Sequence, residues 1–110
     1  MKDPLWIHFI LESCALLRSY LPSSQQEFES DRLRQDAVIY RLRLIADCAH
    51  RLSPETKARS PLDWNAIKGF RNVLTHEYHL IDLDRIWYII ESELPELERE
   101  ARRLEKELAE

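Results

Sequence analysis

Residues 82–110 read DLDRIWYIIESELPELEREARRLEKELAE. Leu83, Ile86, Trp87, Ile90, Leu94, Leu97, Ala101, Leu104 and Leu108 recur every three or four positions. That spacing stacks side chains on one face of an α-helix. Asp82 is placed to cap its start. Pro95 lacks an N–H and its ring meets the carbonyl four residues back, so a kink or restart is predicted there. Beyond it, 96–110 reads as a charged amphipathic helix, with Glu98 and Arg102 spaced to pair. Its narrow seam of Leu97, Ala101, Leu104 and Leu108 suits packing on the first helix or on another chain.

A helix of this length needs other helices to cover its stripe, and the chain upstream supplies them. Helix three is predicted from near Asp63 to about His76, with Trp64, Ile67, Phe70 and Leu74 as its buried face. Ser53-Pro54-Glu55 combines a cap, a first-turn proline and an acidic first turn, and opens a short helix to about Ala58. Helix two is expected from Asp31 to Leu52, with Ser30 as N-cap and a stripe of Leu33, Ala37, Leu44, Ile45, Cys48 and Leu52. Residues 22–30 read as a loop with a helical turn over Gln25–Phe28. Helix one runs from Pro4 to Tyr20 behind an Asp3 cap, with Trp6, Phe9, Ile10, Leu16, Leu17 and Tyr20 as its apolar face. Gly69 is the single glycine in 110 residues, too few for the turns of an all-β fold. The expectation is one all-α domain over 1–110.

Hydrophobic residues make up 45% and charged residues 33%, which suits a globular helical protein. The formal charge of −4 argues against broad, non-specific nucleic-acid binding. Its distribution qualifies that: residues 31–76 carry nine basic and five acidic side chains, while 77–110 carry five basic and eleven acidic. The middle segment can therefore meet a polyanion. Cys14 and Cys48 fit no metal spacing and read as buried small hydrophobes of a reducing cytoplasm. Asp3-Pro4 and Glu12 interrupt the first apolar run, so neither a secretory leader nor a membrane span is expected there.

Chemistry concentrates in Arg71-Asn72-Val73-Leu74-Thr75-His76-Glu77-Tyr78. Arginine is a permanent cation whose fork matches phosphate. Histidine moves protons near neutral pH. Together they are a minimal kit for cleaving a phosphodiester without a metal. On one ideal helix Arg71 and His76 point about 140° apart. Either the helix ends before His76 or a second chain completes the group. Asn72 lies four residues from His76 and is placed to orient its imidazole. Asp47 sits beside an apolar stripe, where a carboxylate is costly unless paired; an arginine of the next helix is its expected partner. Arg32, Arg34, Arg41, Arg43 and Arg51 line helix two, as an RNA path or as a solvated face paired with carboxylates. Arg41, Arg43 and Lys68 are the candidate RNA contacts.

Arg71, four residues, His76, one residue and Tyr78 form a pattern that resembles the signature of HEPN domains of the HepT-like type, ribonuclease toxins of bacterial toxin–antitoxin pairs. Asn72 is the polar residue that customarily follows the arginine. Gln35-Asp36-Ala37-Val38, Leu52-Ser53-Pro54-Glu55, the run Pro61, Trp64, Ile67, Gly69, and Asp82, Trp87 and Leu94-Pro95 extend the likeness over about residues 30 to 97. Where the family usually has Gly-Glu-Ala, this chain has Ala46-Asp47-Cys48, with a shorter acid and no glycine. The resemblance implies an antiparallel up-and-down bundle of four to five helices that homodimerises, its two motifs sharing one cleft. It implies metal-independent RNA cleavage without a cofactor, in which His76 moves protons, Arg71 stabilises phosphate charge and Asn72 positions. It also implies an MntA-like nucleotidyltransferase antitoxin that uses ATP to place AMP on Tyr78. Two rival readings stand beside it: a catalytically silent subunit that docks a nucleotidyltransferase or nucleotide, and a plain dimerisation module built on the Leu97–Leu108 seam.

Overall fold

The computed structural model describes residues 2–110, the side chain of Tyr78 excepted. Its elements are α1 (Asp3–Tyr20), α2 (Gln25–Glu29), α3 (Arg32–His50), α4 (Pro54–Lys57), α5 (Trp64–His76), a 3-10 turn (Tyr78–Leu80), α6 (Leu83–Tyr88), a π turn (Ile89–Glu93) and α7 (Leu94–Ala109). No strand occurs among the described residues. The fold is the expected all-α bundle.

Side-chain caps set most helix starts. Ser53 and Asp82 accept from the backbone N–H groups of Thr56 and Asp84, as expected of caps there, and Asp63, where the helix was expected to begin, accepts from Ala66. Asp31, rather than Ser30, caps α3 by accepting from Arg34. At Pro95 a kink or restart was expected, and the helical backbone instead runs on without a break from Leu83 to Ala109. The N–H of Leu94 reaches back five residues to the carbonyl of Ile89. This one-residue slip is a π turn, and it lets α6 and α7 run on as one rod past the missing proline N–H.

Neighbouring rods are antiparallel. The Arg34 guanidinium at the start of α3 donates to the Tyr20 carbonyl at the end of α1, 2.6 Å away. Arg18, near the end of α1, donates to Glu98 near the start of α7 at 2.6 Å. The core lies between α1, α3 and the α6–α7 rod. Ile7, Ile10, Cys14 and Leu17 meet Val38, Leu42, Ile45, Ala49 and Leu52, and Ile86, Ile90, Leu94, Ala101 and Leu104 close the third side. Phe28 of α2 is fully buried, its ring 5.4 Å from that of Trp87.

Two apolar faces differ from the sequence expectation. Helix one turns Ile7, Ile10, Cys14 and Leu17 inward, while Phe9 is 38% exposed. Apolar residues ring most of its first three turns, and packing between two helices selects the inner set. In α3, Leu33 is 80% exposed, and the stripe follows Val38, Leu42, Ile45, Ala49 and Leu52. The Leu97–Leu108 seam is spent within the chain: Ala101 and Leu104 are buried, and α7 lies on α1.

Asp3 was expected as a cap and is something else. It is the first residue of α1, 4% exposed. Its carboxylate accepts from the Ser53 backbone N–H at 3.2 Å, the Ser53 hydroxyl at 2.5 Å and the Thr56 hydroxyl at 2.5 Å. Burial alone would raise its pKa, but those hydrogen bonds outweigh it and hold the carboxyl below its ordinary value. The network ties the start of α1 to α4.

Helix α5 is bound more lightly. Leu74 is its one buried residue, and Trp64, Ile67 and Phe70 stay half-buried. A groove of about 390 Å³, floored by Leu42, Ile45 and Ile89, runs along Ile67 and Phe70.

Candidate active site

Asp63 starts α5, and the helix continues unbroken through His76. Arg71 and His76 therefore share one helix and point about 140° apart. One chain does not aim them at a common point along that helix.

Arg71 faces α3. Its Nε donates to Asp47 Oδ1 at 3.0 Å, and the side chain is 31% exposed. Arg51, one turn beyond Asp47, donates to the other carboxylate oxygen at 3.2 Å. Asp47 thus bridges two guanidiniums. Partial burial works against its ionisation, but hydrogen bonds and charge from Arg71 and Arg51 prevail and keep the carboxyl below its ordinary value. Held through Nε, Arg71 keeps its terminal nitrogens for an anion. The shorter acid at position 47 reaches the arginine without help from a glycine.

Asn72 and His76 are exposed, one turn apart on the outer face of α5. Tyr78 opens the 3-10 turn after α5; its side chain, the expected modification site, lies outside the described residues.

The arginines of α3 divide into two sets. Arg32, Arg34 and Arg51 pair with Asp36, Asp31 and Asp47. Arg41, Arg43 and Lys68 make no ion pair among the described residues. Arg41 Nε is buried without a hydrogen-bond partner among the described residues, and its guanidinium lies 5.5 Å from the Tyr40 ring centre. The three expected RNA contacts are therefore cations that no acid among the described residues pairs with, and Lys68 stands three residues before Arg71 on α5.

Sequence reasoning passed over His50. It closes α3 three residues after Asp47, where helical spacing makes them neighbours. Burial, then the charges of Arg71, Lys57 and Lys68, lower its pKa against the opposing effect of Asp47. A neutral imidazole is favoured on Arg71's side of the bundle. The signal was present in the spacing from Asp47 to His50.

Both cysteines are buried and free. Burial, assisted by the charge of Glu98, pushes the Cys14 thiol up to about 12, which makes it a poor nucleophile. No helix among the described residues is long and apolar enough to cross a membrane.

Comparison with known proteins gives the family. The family model "Ribonuclease HepT-like" matches residues 10–104. A protein of Caldanaerobacter subterraneus subsp. tengcongensis, named a putative RNase, is 32% identical over 107 residues, covering 94% of this chain and 96% of the relative. A Methanocaldococcus jannaschii protein named gamma-glutamylcyclotransferase and putative RNase is 26% identical over 106 residues; the match covers 94% of this chain and 48% of that relative. No solved structure matches. The chain belongs to the ribonuclease HepT-like family, whose activity is RNA cleavage.

Proposed function

We propose that two copies of this chain form one metal-independent endoribonuclease site. The ribose 2′-hydroxyl attacks the adjacent phosphorus, and its proton passes to the imidazole of His76. The bond from phosphorus to the 5′-oxygen breaks, and that oxygen takes a proton from His76 of the second copy. The products are a 2′,3′-cyclic phosphate and a free 5′-hydroxyl. Arg71 lies against the non-bridging oxygens and stabilises their growing charge. Asn72 positions His76, and Asp47 holds Arg71.

The observation that carries this reading is the Asp47–Arg71 bond at 3.0 Å beside an exposed Asn72 and His76 on one continuous helix. A permanent cation is fixed in place, its phosphate-binding end is left over, and the proton carrier points elsewhere. Two copies resolve that divergence. The outer face of α5 supports pairing: Ala66, Gly69, Val73 and His76 are all exposed, and they fall within one sector at helical spacing. Nothing lies within 4 Å of where a Gly69 Cβ would be.

A toxin role, a cytoplasmic setting and silencing by AMP on Tyr78 rest on the resemblance of Arg71–Tyr78 to the HepT-like signature, with an MntA-like nucleotidyltransferase as the expected partner. Free buried cysteines fit a reducing compartment.

The test is RNA cleavage by purified protein in a chelator. Wild type is expected to cut, and His76→Ala and Arg71→Ala to lose about 10²–10⁴-fold. Equal rates in all three would sink the catalytic assignment, and activity restored only by added metal would sink the metal-free chemistry. Sedimentation should give two chains, and a clean monomer that still cuts would remove the shared site. Mass spectrometry after incubation with a cognate nucleotidyltransferase and ATP should place adenylate on Tyr78; modification elsewhere would refute the switch.

A further inference from the structure

A second cavity, about 620 Å³, opens between the first half of α3 and the last turn of α5. Its volume is in the range of sites that hold small organic groups. One wall is a stripe of α3 at four- and three-residue spacing: Arg32, Asp36, Tyr40 and Arg43. The facing wall includes Thr75, the residue directly before His76. The cavity therefore borders the turn that presents the proposed proton carrier.

The wall chemistry is specific. Arg32 and Asp36 pair with each other at 3.0 Å, so their charges cancel locally. Arg43 is exposed and makes no ion pair among the described residues. Tyr40 is 55% exposed, a large aromatic ring left in solvent. The Arg41 guanidinium stands 5.5 Å from its centre. A cation on one side fixes the ring and leaves its other face for a flat partner. An exposed aromatic beside an uncancelled arginine, with hydroxyl and carboxylate groups around them, matches what an unstacked base and its phosphate require.

We propose that this cavity is a subsite for one nucleobase of single-stranded RNA next to the cut, with the base stacked on Tyr40 and a flanking phosphate at Arg43. The proposal rests on the ribonuclease reading and assigns the strand a direction along α3, away from His76. A base with a phosphate can also come as a free mononucleotide, and the experiment separates the two sources.

The measurement is fluorescence anisotropy of a labelled single-stranded RNA dodecamer on full-length protein carrying His76→Ala, which keeps the strand uncut. Adding Tyr40→Ala should weaken binding roughly tenfold, because stacking on an aromatic ring contributes on that scale. Tyr40→Phe should restore binding to within about twofold of the parent. Arg43→Ala should weaken binding and lower the salt dependence by about one counterion. A 4-thiouridine probe should cross-link to Tyr40. Unchanged RNA affinity in Tyr40→Ala overturns the subsite. So does a result in which the substitution abolishes AMP binding but leaves RNA binding intact, since the cavity then serves a free nucleotide. Because Tyr40 is half in solvent, an unchanged melting temperature is expected, and equal loss of affinity and fold would also overturn the assignment. Binding is read without cleavage, so a wild-type protein that fails to cut RNA refutes the catalytic reading and leaves this result to stand or fall separately.

Discussion

Helices α1 and α5 are both amphipathic and both lie against α3, yet they are held in opposite ways. Helix α1 buries Ile7, Ile10, Cys14 and Leu17 completely and ties its first residue into a closed hydrogen-bond network. Helix α5 buries Leu74 alone, keeps Ile67 and Phe70 along an open groove and reaches α3 through an ion pair. Helix α3 thus anchors one neighbour by desolvation and the other by charge, from different faces. Segments with few buried apolar contacts open locally at low cost. The proposed site sits on the lightly held helix, where its groups remain available to a ligand.

The largest expected effect breaks the comparison on the anchored side. Ile10→Ala should cost about 2–5 kcal/mol, because a fully packed position cannot collapse around the missing atoms. Phe70→Ala on α5 should cost roughly 1–2 kcal/mol, since its ring is already half out of the core. Urea unfolding of both variants checks this. Equal losses would show that α5 is as much core as α1.

Asp3 comes next. Asp3→Asn leaves one acceptor oxygen for three donors, so about 1–3 kcal/mol of stability should go at pH 7. The sign with pH follows from the folded-state pKa, which lies below the ordinary value of 3.8. Ionised Asp3 stabilises the fold fully above its unfolded pKa, and the contribution disappears as pH falls through the folded one. Wild type and variant should therefore converge in stability as pH falls through the folded-state pKa, below the ordinary value. A gap that persists there would mean the network does not depend on the charge.

Much of this arrangement was legible in the sequence, and the pattern of misses is physical. Ser53 and Asp82 were readable as caps because capping is a contact between residues two or three apart. Asp47 announced its need for a cation, since a carboxylate beside an apolar stripe is costly alone. The inner face of α1 was not readable: Leu5, Trp6, Ile7, Phe9, Ile10 and Leu11 offer two acceptable faces, and only the positions of α3 and α7 choose between them. Leu33 was misplaced for a related reason, since it is the second residue of α3, before the bundle closes over it. Asp3 looked like a cap because its partners are some fifty residues away. The pairs of Arg32, Arg34 and Arg51 were readable, since each acid lies three or four residues away on the helix; Arg43, four residues before Asp47, goes unpaired because that carboxylate turns to Arg51 and Arg71 instead. His50 could have been found from its three-residue spacing to Asp47.

The smallest expected effect is the sharpest. Gly69 lies inside α5, where glycine costs a helix about 1 kcal/mol relative to alanine. Its φ is ordinary and an added methyl would meet nothing within 4 Å. Within one chain, Gly69→Ala should therefore stabilise the fold by about 0.5–1 kcal/mol. Between two chains the result should reverse. If a second α5 lies against Ala66, Gly69 and Val73, the methyl separates the backbones, and both dimer affinity and RNA cleavage should fall while each subunit becomes more stable. Sedimentation, thermal unfolding and cleavage on the same preparation decide it. A variant that is more stable, still dimeric and fully active would remove the close approach at Gly69 and move the shared cleft to another face of α5. The lightly held helix is then defined by its opposition to α1: there a cavity-forming change weakens the fold, and here a filling change strengthens the fold and weakens the function.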